Sequence, residues 1–279
     1  MKQKFRTDVP SKNKLSRRRS MLGNSACTII LTSRDRLLLK EIAIGKVIDR
    51  EQAKRIAGFK STTRANDRLL KLTRAGLLRR FFIGTRAGGT KAIYSLSAKG
   101  AQAVEIEVRL IKRRNNSLLV GDLFVEHQLA VNAVWIKAKF TPIPVPDVQF
   151  IRWVVFPSIL SKSTPLMPDG YFELRSTSGM YCLFCEVDRG TESLKVWSRK
   201  ISLYLQLAAS GEFQALFKQS RFRVLVAVSS ERRLNILRRA AAMHSEKIFW
   251  FATLEEINQR GLFAPIWKRP VGEQKVPLL

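Results

Sequence analysis

Acidic residues, histidine and cysteine are all scarce in this chain, and each scarcity removes a class of protein. There are 22 Asp and Glu against 50 Lys and Arg, with only 2 His, for a formal net charge of +28. Such a field repels cations and draws polyanions, with nucleic acid ahead of an anionic membrane surface. Cys27, Cys182 and Cys185 make neither a disulfide framework nor a four-ligand zinc site. Cys182 and Cys185 form a CxxC, but residues three apart in a strand point to opposite faces, so both read as small core residues. No run approaches the roughly 18 apolar residues needed to span a bilayer, and "MKQKFRTDVPSKNKLSRRRS" holds no apolar signal core. A cytoplasmic, nucleoid-associated protein without a membrane partner is expected.

What is present suffices for a core. With 46% hydrophobic and 9% aromatic residues over 279 positions, the composition supports two domains of ordinary size. The segment 1–28 reads as a flexible basic arm, because its first 24 residues hold eight Lys or Arg, one acid and no periodicity. Periodicity begins at Leu31. "LTSRDRLLLKEIAIGKV" predicts a helix starting at Ser33, and "IDREQAKRIAG" a second capped by Asp49. "STTRANDRLLKLTRAGLL" predicts a third from Ser61, and "RRFFIGTRAGGTKAIYSL" a β-hairpin around Ala-Gly-Gly.

Three helices and a basic hairpin resemble a winged helix-turn-helix domain, placed at 29–112 with a boundary near residues 112–120. The resemblance makes the third helix the recognition helix, offering Lys60, Thr62, Thr63, Arg64, Asn66 and Arg68 to a DNA groove. Arg and Asn suit base edges, whereas Lys and Thr mostly hold phosphate. Arg86 and Lys91 on the wing suit a minor groove or the backbone. Winged domains also serve as protein-protein modules, so the charge is what favours DNA.

The second half, 118–270 before a tail at 271–279, predicts a helix, three strands, a helix, a strand, then a helix and a strand. In "LFVEHQLAVNAVWIKAKF", Leu123, His127, Val131, Val134 and Ala138 share a stripe, which puts His127 on the packing face. "SLKVWSRKISLYLQLA" turns Leu194, Trp197, Ile201 and Tyr204 inward. In "YCLFCEVDRGTE", alternation places Cys182, Phe184, Glu186 and Asp188 on one face, the two carboxylates about 7 Å apart. Asp169 of "MPDGYFEL", on the neighbouring strand, would bring a third. Such a cluster needs a neutraliser, and magnesium or manganese fits its oxygen donors.

The order of elements and these acids resemble the PD-(D/E)xK nuclease superfamily, with its αβββαβ core and mixed sheet. The resemblance implies Asp169, Glu186 and Asp188 as metal ligands and catalytic residues. Asp188 stands where the superfamily has its lysine, so the lysine would come from the next helix. Lys195 and Lys200 are the candidates, and Lys200 is preferred because it shares a helical face with Tyr204, four residues on. Arg189 would hold a phosphate or pair with Glu192, and Thr191 would cap the helix after Gly190.

Together with "H-x-x-x-V-N" from His127 to Asn132, "PDGYF", "EVDRGTE", "K-x-x-x-Y" and "FRVLVAVSSERR", the chain resembles the replication-relaxation family of mobile-element proteins over roughly residues 31–270. That resemblance implies a DNA-binding protein of a plasmid, phage or integrative element, with DNA and other replication or transfer proteins as partners. Three readings stay open: a magnesium-dependent DNA endonuclease or nickase, a non-catalytic scaffold on a degenerate nuclease fold, and a transcriptional regulator acting through the winged domain.

Overall fold

The computed structural model describes residues 29–85, 88–107, 110, 116, 118–119 and 122–279. The basic arm, Arg86 and most of the expected boundary at 112–120 lie outside the described residues.

The N-terminal part runs α1 (Ser33–Gly45), β1 (Val47–Asp49), α2 (Arg50–Ile56), α3 (Thr62–Arg74), β2 (Leu78–Gly84), β3 (Thr90–Leu96) and α4 (Ala98–Ala103). The three expected helices and the hairpin are present. β1, too short to show alternation, joins the hairpin, and β4 (Leu118–Leu119) adds a parallel edge, giving the order β1-β3-β2-β4. Helix starts follow capping chemistry. Asp49 accepts from the Gln52 N–H at 2.8 Å, and Ser61 from the Arg64 N–H at 3.3 Å. At α1 the cap is Thr32 rather than the expected Ser33, because Thr32 and Asp35 form a reciprocal capping box.

The C-terminal part runs α5 (Leu123–Lys139), β5 (Gln149–Val154), β6 (Gly170–Ser176), β7 (Gly179–Asp188), α6 (Leu194–Ala209), α7 (Glu212–Phe217), β8 (Arg223–Val228), α8 (Glu231–Ala242), β9 (Phe249–Thr253), α9 (Leu254–Arg260), β10 (Trp267–Lys268) and β11 (Lys275–Val276). Its strands form one mixed sheet ordered β11-β10-β9-β8-β7-β6-β5. β5, β6 and β7 pair antiparallel, and β7, β8 and β9 parallel, which is the expected αβββαβ order with a further αβ unit.

Alternation along β7 divides the core between the two sheet faces. Cys182 and Phe184 pack with α6 and α8, while Leu183, Cys185 and Val187 pack with α5 and α9. The two cysteines therefore face opposite ways, as strand geometry requires. α5 belongs to both parts of the chain. Val131, Val134 and Ala138 lie on the large sheet, whereas Trp135 and Ile136 enter the N-terminal core. Truncating a buried aromatic such as Trp135 costs about 3–5 kcal/mol. Asn132 reinforces that seat, its buried amide donating to the Gly45 and Val47 carbonyls at 3.0 and 2.5 Å. The expected stripe on α5 is buried only from Val131 onward. Leu123 is exposed, as is Leu194 at the start of α6.

Candidate active site

β6 and β7 pair with Gly170 opposite Cys185, so Asp169, just before β6, comes alongside the last turns of β7's pleat. There Asp169 Oδ2 accepts the Val187 N–H at 2.7 Å. Its other oxygen lies 3.0 Å from His127 Nε2 on α5. The next residue, Gly170, leaves room for the Trp153 ring, on which a Cβ there would intrude.

Glu186 is fully buried on the α6 face. Its Oε1 accepts from the Tyr204 hydroxyl at 2.6 Å and its Oε2 from Lys200 Nζ at 2.9 Å. The lysine and tyrosine do share one face of α6, as their spacing predicts. Lys200 also reaches Glu192 Oε1 at 2.9 Å, and Glu192 Oε2 is buried without a partner among the described residues. Lys195 is exposed.

The electrostatics follow from this crowding. Burial pushes the Glu186 carboxyl up to about 7, with Asp169 adding to the rise and Lys200 opposing it. Lys200 stays protonated: burial acts against its charge, but Glu186, Glu192 and Asp169 outweigh burial and raise its pKa. The hydrogen bond to Asp169 raises His127 as well, overcoming partial burial.

Asp188 departs from expectation. Its carboxylate accepts from Trp197 Nε1 at 2.5 Å, from Arg233 Nε at 2.8 Å and Nη2 at 2.5 Å, and from the Gly190 N–H. It shares a strand face with Glu186 but is enclosed by α6 and the start of α8, so it is a structural anchor and not a third member of the cluster. The acids grouped around Lys200 are Asp169, Glu186 and Glu192. Gly190, at φ 84, makes the sharp exit from β7. Ser193 caps α6 in place of the expected Thr191, which is exposed. Arg189 pairs with Glu126 of α5 and not with Glu192.

Glu126, Trp197 as a donor, and Arg233 were not among the expected functional residues. Glu126 directly precedes His127. Arg233 begins the helix after β8, the parallel neighbour of β7, so strand order carries the signal for its position and the local motif does not.

A metal site is a matter of donor chemistry. Among the described residues no group of three or more His, Cys, Asp or Glu is disposed to hold a metal ion. Asp169 and Glu186 do supply hard oxygens, and Glu192 an orphaned one, which suits a cation completed by water and a substrate phosphate and not a closed protein cage.

In the N-terminal part, Lys60, Thr63, Arg64 and Asn66 are exposed on or beside α3, and Thr62 is half-buried. Arg68 is a correction. It grips Asp35 through Nε at 2.7 Å and through Nη2, which also donates to the Ile30 carbonyl at 2.9 Å, tying α3 to α1. Although burial raises the Asp35 carboxyl, hydrogen bonds from Arg68 and Thr32 hold it below the usual range. Lys91 pairs with Asp49, the cap of α2, with its side chain still partly exposed.

Fold and site together define a mixed α/β protein in which carboxylates and a lysine meet at the end of a central strand. The chain belongs to the replication-relaxation family, whose sequence pattern matches residues 39–219 and so includes every residue of this cluster. No curated protein matches. Among solved structures, restriction endonuclease FokI is similar at 12% identity, covering 84% of this chain and 46% of that one with a TM-score of 0.29. This chain thus spans less than half of that enzyme's length, and a likeness at this level carries no argument about the site. None of the helices among the described residues is long and apolar enough to cross a membrane.

Proposed function

We propose that the chain is a DNA-processing protein of a mobile genetic element, in which a winged helix positions a phosphodiester-cleaving site built on Asp169, Glu186 and Lys200. The observation that carries this reading is Lys200 Nζ at 2.9 Å from Glu186 Oε2, with Asp169 close enough to perturb both groups. A lysine from the following helix would then serve in place of the motif's missing lysine. Membership of the replication-relaxation family and the charge of +28 support DNA as the partner.

Each residue has a task that its surroundings fit. Glu186, whose carboxyl burial raises, is held in place by Lys200 and Tyr204 on its two oxygens. Lys200, kept charged, stabilises negative charge building on a phosphoryl group. Tyr204 orients Glu186, and His127 orients Asp169. Asp169 and Glu186 would hold magnesium or manganese, which when bound activates water and neutralises phosphoryl charge.

Purified protein supplied with magnesium or manganese is expected to nick or cut plasmid DNA. Glu186→Gln and Lys200→Met should abolish cleavage while leaving DNA binding unchanged, and undiminished cleavage by both variants would overturn the reading. A non-catalytic DNA-binding scaffold is the second reading. It is favoured by the fact that all four oxygens of Asp169 and Glu186 already have partners within the protein.

A further inference from the structure

A second cluster of chemistry lies on the opposite face of the large sheet from Glu186, toward the amino ends of its parallel strands. Arg223 opens β8 opposite Leu183, three residues before Glu186, or about 10 Å along the strand. Its guanidinium sits 4.5 Å from the Trp250 ring centroid and 5.5 Å from that of Tyr181. Arg269, after β10, lies 4.7 Å from the same Trp250 ring. A cavity of about 730 Å³ opens beside these side chains at the strand ends, bounded also by Cys182, Phe213 and Phe222 of the α6 face, and Arg221 and Lys247 complete its basic lining. Among the described residues that line it, none is Asp or Glu.

Two guanidiniums on one indole, partly removed from water, repel one another. Burial and the nearby Arg269 lower the pKa of Arg223, against the opposing effect of Tyr181. Their hydrogen bonds do not supply the missing charge. Arg223 donates to the Leu278 carbonyl at 2.6 Å, and Arg269 to the carbonyls of Glu246 and Lys247 at 3.0 and 2.6 Å. Arg269 Nε and Trp250 Nε1 are in addition buried with no acceptor among the described residues. A lining with four basic side chains and no carboxylate suits an anion that accepts several hydrogen bonds.

We infer that this cavity is a phosphate-binding site, in which Arg223 and Arg269 hold the phosphate and Arg221 and Lys247 draw it in. A guanidinium fork matches phosphate oxygens in geometry as well as charge. The site is separate from the carboxylate cluster and does not depend on that cluster being catalytic. The phosphate is either a free phosphate or nucleotide, or the backbone of DNA passing round the end of the sheet.

The test is calorimetric titration of the full chain at low salt with inorganic phosphate, a nucleoside monophosphate and a short DNA duplex. Arg223→Gln and Arg269→Gln are the informative variants, with Lys40→Gln on the exposed face of α1 as a charge-matched control. Each arginine variant should weaken binding by about tenfold or more, and the control by less than about twofold. Loss of phosphate and nucleotide binding identifies a free ligand, and loss confined to the duplex identifies the DNA backbone; either supports the site. Unchanged affinity in both arginine variants, or no saturable binding of any of the three ligands, overturns it. If the arginine variants fail to melt cooperatively, NMR of the wild-type guanidinium groups decides. The Arg269 Nε–H resonance should shift as ligand is added, and an unmoved resonance refutes the assignment.

Discussion

Replacing Asp188 by Asn tests whether this acid anchors the fold or serves the site. The carboxylate is fully buried and accepts from Trp197 Nε1, two nitrogens of Arg233 and the Gly190 N–H. An Asn side chain has nearly the same shape, but it removes the charge that balances Arg233 and turns an NH2 toward existing donors. Removing one partner of a buried pair costs about 3–5 kcal/mol. The Asn oxygen keeps part of the network, so the lower end, about 3 kcal/mol, is expected, equivalent to a melting shift on the order of 10 °C for a chain of this size. Urea unfolding at constant m gives the free-energy change directly. The double variant Asp188→Asn with Arg233→Met should be less destabilised than the two single changes added together, with a coupling of about 1 kcal/mol or more. A loss below about 1 kcal/mol for Asp188→Asn, combined with lost DNA cleavage, would refute the anchoring role and return Asp188 to the site.

Glu186 makes stability depend on pH. Its folded pKa is raised from 4.5 to about 7, so its contribution is complete below 4.5 and is lost as pH rises through about 7. Relative to Glu186→Gln, the wild type should lose about 3 kcal/mol across that interval in a urea series at several pH values, and parallel curves would contradict the burial argument. In the N-terminal part, Arg64→Ala should weaken DNA binding and flatten its salt dependence while leaving the melting temperature unchanged. Arg68→Ala should instead destabilise by about 2–4 kcal/mol, since it strands the buried Asp35, and equal effects of the two changes on stability would count against this division. Asn132→Ala should cost about 2–3 kcal/mol by orphaning the Gly45 and Val47 carbonyls, as measured by urea unfolding, and a loss under about 0.5 kcal/mol would remove Asn132 as a strut.

The order of strands from β5 to β9 was readable because each is either alternating or continuously apolar and bounded by a turn signal, whereas α7, α9, β10 and β11 were not expected: β10 and β11 are two residues each, too short for any pattern, and β11 lies within the expected tail at 271–279. Lys200 and Tyr204 were readable as partners because helical spacing fixes which residues share a face. Asp188 was misread for a definable reason. Strand phase gives the side of the sheet, but α6 and α8 divide that side, and only the parallel pairing of β7 with β8 brings Arg233 to the end of β7. The caps at Thr32 and Ser193 each fell within two residues of the expected hydroxyl, because neighbouring hydroxyls have equal intrinsic aptitude and the chain's direction of approach decides between them. Arg68 was assigned to the DNA groove because the winged-helix resemblance makes α3 the recognition helix, and that resemblance carries no information about an acid on α1.

Helix α5 also acts as a gauge. One of its early turns presents His127 to Asp169, and Asn132 and Trp135 further along are seated in the N-terminal part. Five residues separate His127 from Asn132, about 7.5 Å of a rigid rod. DNA gripped by the N-terminal part would therefore meet the strand-end acids at a constant offset set by counting residues and not by a hinge. Inserting one residue between His127 and Asn132 would rotate the two seatings against each other by about 100°, so that one must let go.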